Sequence, residues 1–213
     1  MQETSHAETL ALERLLFFSD AVFAIAITLL VIEIKLPPLP HTPGEAELGR
    51  ALVSLAPLFT GFVISFLLIA QTWVEHHKMG RQLRAYDVGL LWRNAFLLLF
   101  VAFLPFATAV MSEHPRLRVA VSLYAFTFGG LGLAKLGFWR HAVRRGLVER
   151  DSLEARSISR RVWATPLTAA GVGVAALAGV PHAYAGFALI PVVASGLDRP
   201  RPAAKPVLER EGA

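Results

Sequence analysis

A carboxylate and two hydroxyls sit inside a segment otherwise built to cross a bilayer. Arg14-Leu-Leu-Phe-Phe18-Ser19-Asp20 runs without interruption into Ala21-Val-Phe-Ala-Ile25-Ala-Ile-Thr28-Leu29-Leu-Val-Ile32. An ionisable group at membrane depth is costly, so Asp20 marks a functional site or a specific packing partner. At about 100° per residue, Ile25, Leu29 and Ile32 form one narrow stripe with Thr28 at its edge, and Asp20 points roughly 140° away from Ile25. On spacing alone, such an aliphatic stripe is more often ordinary helix packing than a pore lining. Thr28 in an apolar helix usually bonds back to a carbonyl one turn earlier.

Asp20 cannot face lipid as an unpaired charge and needs a partner inside the bundle. The candidates are Arg14, Arg93, Asn94, His76, His77 and the indole N–H of Trp73 or Trp92. Trp73 and His77 are four residues apart and share a helix face, whereas His76 points elsewhere. A network of Arg14, Ser19, Asp20, His77 and Asn94 would satisfy the polar groups near one end of the first three spans.

The elements that must position these residues are helical. The chain has 213 residues, 54% hydrophobic and 17% charged, with a mean hydropathy of +0.51. Several windows of about twenty residues carry almost no charge, the length that crosses a hydrocarbon core of ~30 Å. The reading is an all-α integral membrane protein with six transmembrane helices. They run from about Leu12 to Leu36, Ala51 to Val74, Val88 to Met111, Val119 to Trp139, Val162 to Val180, and His182 to Leu197. Residues 1–11 then form an N-terminal segment, 12–197 a single six-span domain, and 198–213 a disordered tail with too little apolar surface to pack.

Pro57, Pro105 and Pro166 are possible helix breakers without a matched pattern. Lys135 is expected to snorkel toward the interface, and Gly129, Gly130 and Gly132 to permit close helix packing. A charged connector, Arg140 to Arg161, follows the fourth span, with anionic lipid headgroups its simplest contact.

With the N-terminus inside, fifteen Lys and Arg residues fall in inner segments and four in outer loops (Lys35, Arg50, Arg116, Arg118). The positive-inside rule then places both termini in the cytoplasm. In this setting a pI near 10.1 reflects loop charge rather than nucleic-acid binding. The first residues, polar and acidic, do not read as a cleavable signal.

The absence of cysteine excludes disulfides, thiolate metal sites and cysteine nucleophiles. His76-His77 diverge on a helix and lack a third ligand at metal spacing. No His-Glu-x-x-His, phosphate loop or Ser-His-Asp grouping is present, nor a Thr-Val-Gly-Tyr-Gly filter. Neither an enzyme nor a cofactor is expected.

Arg14-x-x-x-Phe18-Ser19-Asp20 at the head of the first span resembles the signature of the endosomal and lysosomal potassium channel family (transmembrane protein 175 type). The likeness continues through Glu33-Ile-Lys-Leu-Pro37 and takes in Trp73-x-x-x-His77 and Trp92-Arg93-Asn94. It implies a homotetramer in a bacterial inner membrane, with the first helix of each subunit lining a central potassium-permeable pore. By that resemblance Ile25, Leu29 and Ile32 are the pore constriction and Thr28 a selectivity layer. Arg14, Phe18, Ser19, Asp20 and His77 then hold the pore helices. The permeating ion would be potassium, with modest preference over sodium, and the partners would be membrane lipids and identical subunits. Two other readings stay open: a proton-coupled carrier using Asp20 and His77, and a non-conducting scaffold.

Overall fold

The computed structural model describes residues 2–148 and 152–197, and side chains from Leu10 onward. The chain is all-helical: α1 Gln2–Ile32, α2 Glu45–Ser54, α3 Ala56–Arg81, α4 Val88–Glu113, α5 Arg118–Arg145, α6 Leu153–Arg161 and α7 Ala164–Leu177. A 3₁₀ segment, Ala183–Leu189, then leads into α8, Ile190–Leu197. Its apolar helices make it a multi-pass membrane protein. Four helices (α1, α3, α4 and α5) are long and apolar enough to span a bilayer.

The expected boundaries change in several places. The first helix begins before Leu12 and stops at Ile32, ahead of Pro37-Pro38. The expected second span is cut at Leu55, so that Ala51 belongs to the short α2, and α3 runs on to Arg81. Pro57 explains the cut. It occupies the first turn of α3, where a missing N–H leaves no bond unmade. Pro105 lies inside α4 without ending it, and Pro166 falls in the first turn of α7.

The largest change of bounds falls in the expected fifth and sixth spans. In their place stand α7, with 14 residues, and the 3₁₀ segment with the eight-residue α8. A 14-residue helix is about 21 Å long, short of a ~30 Å core. The connector from Arg140 is ordered at both ends, as the last turns of α5 and as α6. The tail from Asp198 lies outside the described residues.

The core lies between α1, α3, α4, α5 and α7, where Phe23, Leu97, Leu104, Phe128, Leu131 and Phe187 are buried. α5 packs closely on α7 because Gly132 has no side chain: a Cβ there would lie 2.7 Å from the ring of Pro166. Gly61 on α3 does the same for α4, with Ser112 Oγ lying where its Cβ would be, 1.8 Å away. Between these points, Thr108 donates to Ser65 Oγ at 2.9 Å, and Ser65 bonds Tyr124 OH at 2.8 Å. This buried hydroxyl chain ties α3, α4 and α5 together without leaving their polar atoms exposed to hydrocarbon.

At the far end, the Asp87 carboxylate caps α4 by accepting from Leu90 N at 2.7 Å. It also bonds His141 Nε2 at 2.8 Å and Arg145 Nε at 3.3 Å on α5. The hydrogen bond from His141, ahead of the cap and Arg145, holds this carboxyl below the usual range. α5 itself ends at Gly146, whose φ of +72° suits glycine, with Leu147 N closing back on Ala142 O at 2.9 Å.

Two outcomes follow from this packing. Gly61→Ala should destabilise the folded protein by about 1–3 kcal/mol through overpacking, and Ser112→Ala should partly restore it; thermal unfolding in detergent measures both. A depressed carboxylate stabilises the fold above its ordinary pKa and loses that contribution as pH falls through its folded value. Below about pH 4, the wild type should lose thermal stability more steeply than Asp87→Asn.

Candidate functional site

The inner face of α1 is set by Ser19, Phe23, Ala26 and Leu30, all buried at helical spacing. Ser19 Oγ donates to Leu15 O at 2.9 Å and accepts from Asn94 Nδ2 at 2.8 Å. The amide is thereby oriented with its oxygen toward His76, whose Nε2 lies 2.9 Å away. Because Asn94 Oδ1 can only accept, His76 Nε2 carries the proton. The imidazole is held between Phe23 and Phe138, each ring centroid 5.6 Å distant. One residue from each of α1, α4 and α3 thus forms a buried three-member chain.

Asp20, next to Ser19, is served separately. Its Oδ1 accepts from the indole Nε1 of Trp73 at 2.8 Å. His77 stacks behind that indole with ring centroids 5.9 Å apart, and is exposed. Trp73 and His77 do share a face, but among the described residues no bond joins His77 to Asp20. The histidine in the buried network is His76. A sequence signal for this existed: Gly61, Ser65, Leu68, Thr72, His76 and Met79 recur at helical spacing and are all buried on α3.

Other expected members stand apart. Arg14 and Phe18 are exposed. Arg93 turns back to Gly89 O on its own helix at 2.9 Å. Among the described residues neither arginine pairs with Asp20.

Lys135 does not snorkel. It is fully buried and ion-paired with Glu75 of α3, with a second bond to Thr165 Oγ1 of α7 at 2.9 Å. Gln71 Nε2 supports the other oxygen of Glu75 at 3.3 Å. The sequence reading missed Glu75. It lies one residue before His76, and Lys135 is a cation inside the fourth span that needs such a partner.

The opposite face of α1 is bare. Ile25, Leu29 and Ile32 are 57%, 40% and 61% exposed, and Thr28 is exposed between them. Thr28 Oγ1 donates its proton to its own helix, with Ala24 O at 3.1 Å and Ile25 O at 2.9 Å. Its oxygen lone pairs stay free to accept on the open side. Only 22% of the apolar stretch of α1 is buried, against 61% for α5, so α1 lies at the edge of the helix bundle. No cluster of three metal-ligating side chains occurs among the described residues.

Asn94→Leu would leave His76 Nε2–H without an acceptor and Ser19 with only its bond to Leu15 O, at a cost of about 1–3 kcal/mol. Trp73→Phe removes one half-exposed bond. Unfolding in detergent should therefore show a larger fall in melting temperature for Asn94→Leu.

Comparison with known proteins gives the arrangement a family. Residues 14–105 match the family described as the endosomal/lysosomal potassium channel TMEM175. A potassium channel of Chamaesiphon minutus is 42% identical over 130 residues, which cover 59% of this chain and 63% of the relative. One from Streptomyces collinus is 37% identical over 133 residues, covering 61% and 63%. The human endosomal/lysosomal proton channel TMEM175 is 32% identical over 117 residues, 51% of this chain and 23% of that protein. The matches thus span less than two thirds of these relatives. The crystal structure of the lysosomal potassium-selective channel TMEM175 homolog from Chamaesiphon minutus superposes with a TM-score of 0.72 at 32% identity, covering 88% of this chain and 96% of that one. On this likeness in sequence and fold, the chain belongs to the TMEM175 family.

Proposed function

We propose that the protein is a potassium-permeable cation channel, assembled as a homotetramer around four copies of α1. The carrying observation is the open face of that helix. A membrane helix buried by Ser19, Phe23, Ala26 and Leu30 on one side presents Ile25, Thr28, Leu29 and Ile32 on the other. Relatives named as potassium channels support an ion as the permeant species.

In this reading α1, α3, α4 and α5 cross the bilayer, and α7 with the α8 segment provides two shorter crossings. Both termini face the cytoplasm of a bacterial cell, in the inner membrane. Ile25, Leu29 and Ile32 form stacked aliphatic rings. A narrow apolar constriction empties of water and blocks a hydrated ion, and a small rotation or outward shift of α1 rewets it. Thr28 supplies a ring of hydroxyl oxygens whose protons are already committed to the backbone. One such ring replaces little of an ion's hydration shell, so preference for potassium over sodium is modest. Asp20, Trp73 and the Ser19–Asn94–His76 chain set the rotation of α1 and do not touch the ion.

The carrier reading, in which Asp20 and His77 titrate as a pair, loses support because the two side chains are not bonded. Proton permeation, the activity in the names of animal relatives, would use the same rings.

Potassium efflux from liposomes holding the purified protein should exceed that of empty liposomes, and Ile25→Ala and Leu29→Ala should raise it severalfold. Unchanged efflux in both variants would remove the pore assignment. Absent flux from an intact assembly would favour the scaffold reading. Efflux should fall only modestly when sodium replaces potassium.

A further inference from the structure

The outer surface of α5 changes character along its length. Phe126, Leu133, Gly137, Arg140 and Arg144 follow at intervals of seven, four, three and four residues, so they form one stripe. Phe126 and Leu133 are 71% and 59% exposed. At Gly137 no atom lies within 4 Å of where a Cβ would stand, leaving a shallow, side-chain-free trough. One turn further on, the stripe becomes cationic.

A groove of about 300 Å³ lies at this change, bordered by Leu136, Arg140, Val143, Arg144, Ser159 and Trp163. The Arg140 guanidinium sits 5.6 Å from the centroid of the Trp163 ring. This contact steadies a planar donor array and leaves its edge available. Trp163 is itself 39% exposed, an amphipathic ring where spanning helix meets loop. The floor is fixed by Trp139, whose Nε1 donates to Ser159 Oγ at 2.8 Å. Lys78, Arg81 and Arg84 belong to the same basic end of the bundle.

We propose that this groove seats the phosphate of an anionic phospholipid, held by Arg140 beside Arg144, with an acyl chain along Gly137 and Leu133. A phosphate matches the forked donors of arginine, and the adjoining apolar trough favours a lipid over a free anion. Charge complementarity places the lipid in the leaflet facing the basic end of the protein. The site is on the flank of the protomer, away from the open face of α1, so it does not depend on the conduction reading.

Tryptophan fluorescence tests it in the full-length protein reconstituted in phosphatidylcholine. Acyl-brominated phosphatidylglycerol, titrated in, should quench at lower mole fraction than brominated phosphatidylcholine. The preference should be about fivefold or more, given the attraction of each arginine to an anionic leaflet. Arg140→Gln/Arg144→Gln should bring it close to one, with Arg140→Gln alone intermediate; both positions are exposed, so the fold should tolerate the changes. Arg116→Gln/Arg118→Gln, at the other end of the bundle, should leave the preference intact.

No preference in the wild type, or one unchanged by the double substitution, would overturn the proposal. Loss of the preference on adding millimolar inorganic phosphate would identify a site for a free anion. Absence of quenching by either lipid would indicate that a second copy of the chain covers the groove. Either result would also overturn it.

Discussion

The rotation of α1 about its own axis depends on one short chain of hydrogen bonds. Ser19 donates to its own helix and accepts from Asn94, and Asn94 accepts from His76. In hydrocarbon no water can replace a lost partner, so a turned α1 would leave the Asn94 amide N–H without its acceptor and part Asp20 from Trp73. With Ser19 pinned inward, helical geometry leaves no freedom over the rest. Phe23, Ala26 and Leu30 follow it into the core, and Ile25, Leu29 and Ile32 are left bare. Asp20 then falls at the margin, within reach of Trp73. A carboxylate at membrane depth is thus answered by an indole instead of a cation.

The same rule governs the other expensive groups. Lys135 lies on the most enclosed helix of the bundle and is paired with Glu75 and bonded to Thr165. Such a pair adds little net stability, since desolvation consumes most of the attraction, but removing one member leaves an uncompensated charge. Its effect is to lock α3, α5 and α7 in one relative position. The hydroxyls of Ser65, Thr108 and Tyr124 do the same for α3, α4 and α5. The other helices are therefore a tied wall against which α1, bonded mainly near one end, presents its free face.

Much of this was legible in the sequence where periodicity and cost coincide. The stripe of Ile25, Leu29 and Ile32 follows from helical angles, and the need of Asp20 for a partner from the cost of an unpaired charge in lipid. The face of Trp73 points to His77, which stacks on that indole, whereas the buried bond to Asn94 is made by His76. The buried run Gly61, Ser65, Thr72, His76 on α3 was the better guide. The position of Lys135 near a helix end suggests snorkelling, whereas an intramembrane partner on another helix has no local signature. The bounds of the last two segments have no clear local signature for a related reason. Apolar content sets how hydrophobic a segment is, but Gly179 at φ +80°, Pro181 and the 3₁₀ turn from Ala183 decide how long the helices run.

The central claim is that the bare face of α1 meets water and ions at the axis of an assembly, not lipid. Because the chain has no native cysteine, a single Leu29→Cys gives an unambiguous probe. Potassium current through reconstituted Leu29→Cys channels should be blocked by micromolar cadmium, which several thiolates facing one axis can share, and recover on chelation. Unaltered current under cadmium, together with failure of a charged water-soluble thiol reagent to modify Leu29→Cys, would place that face against lipid and contradict the account.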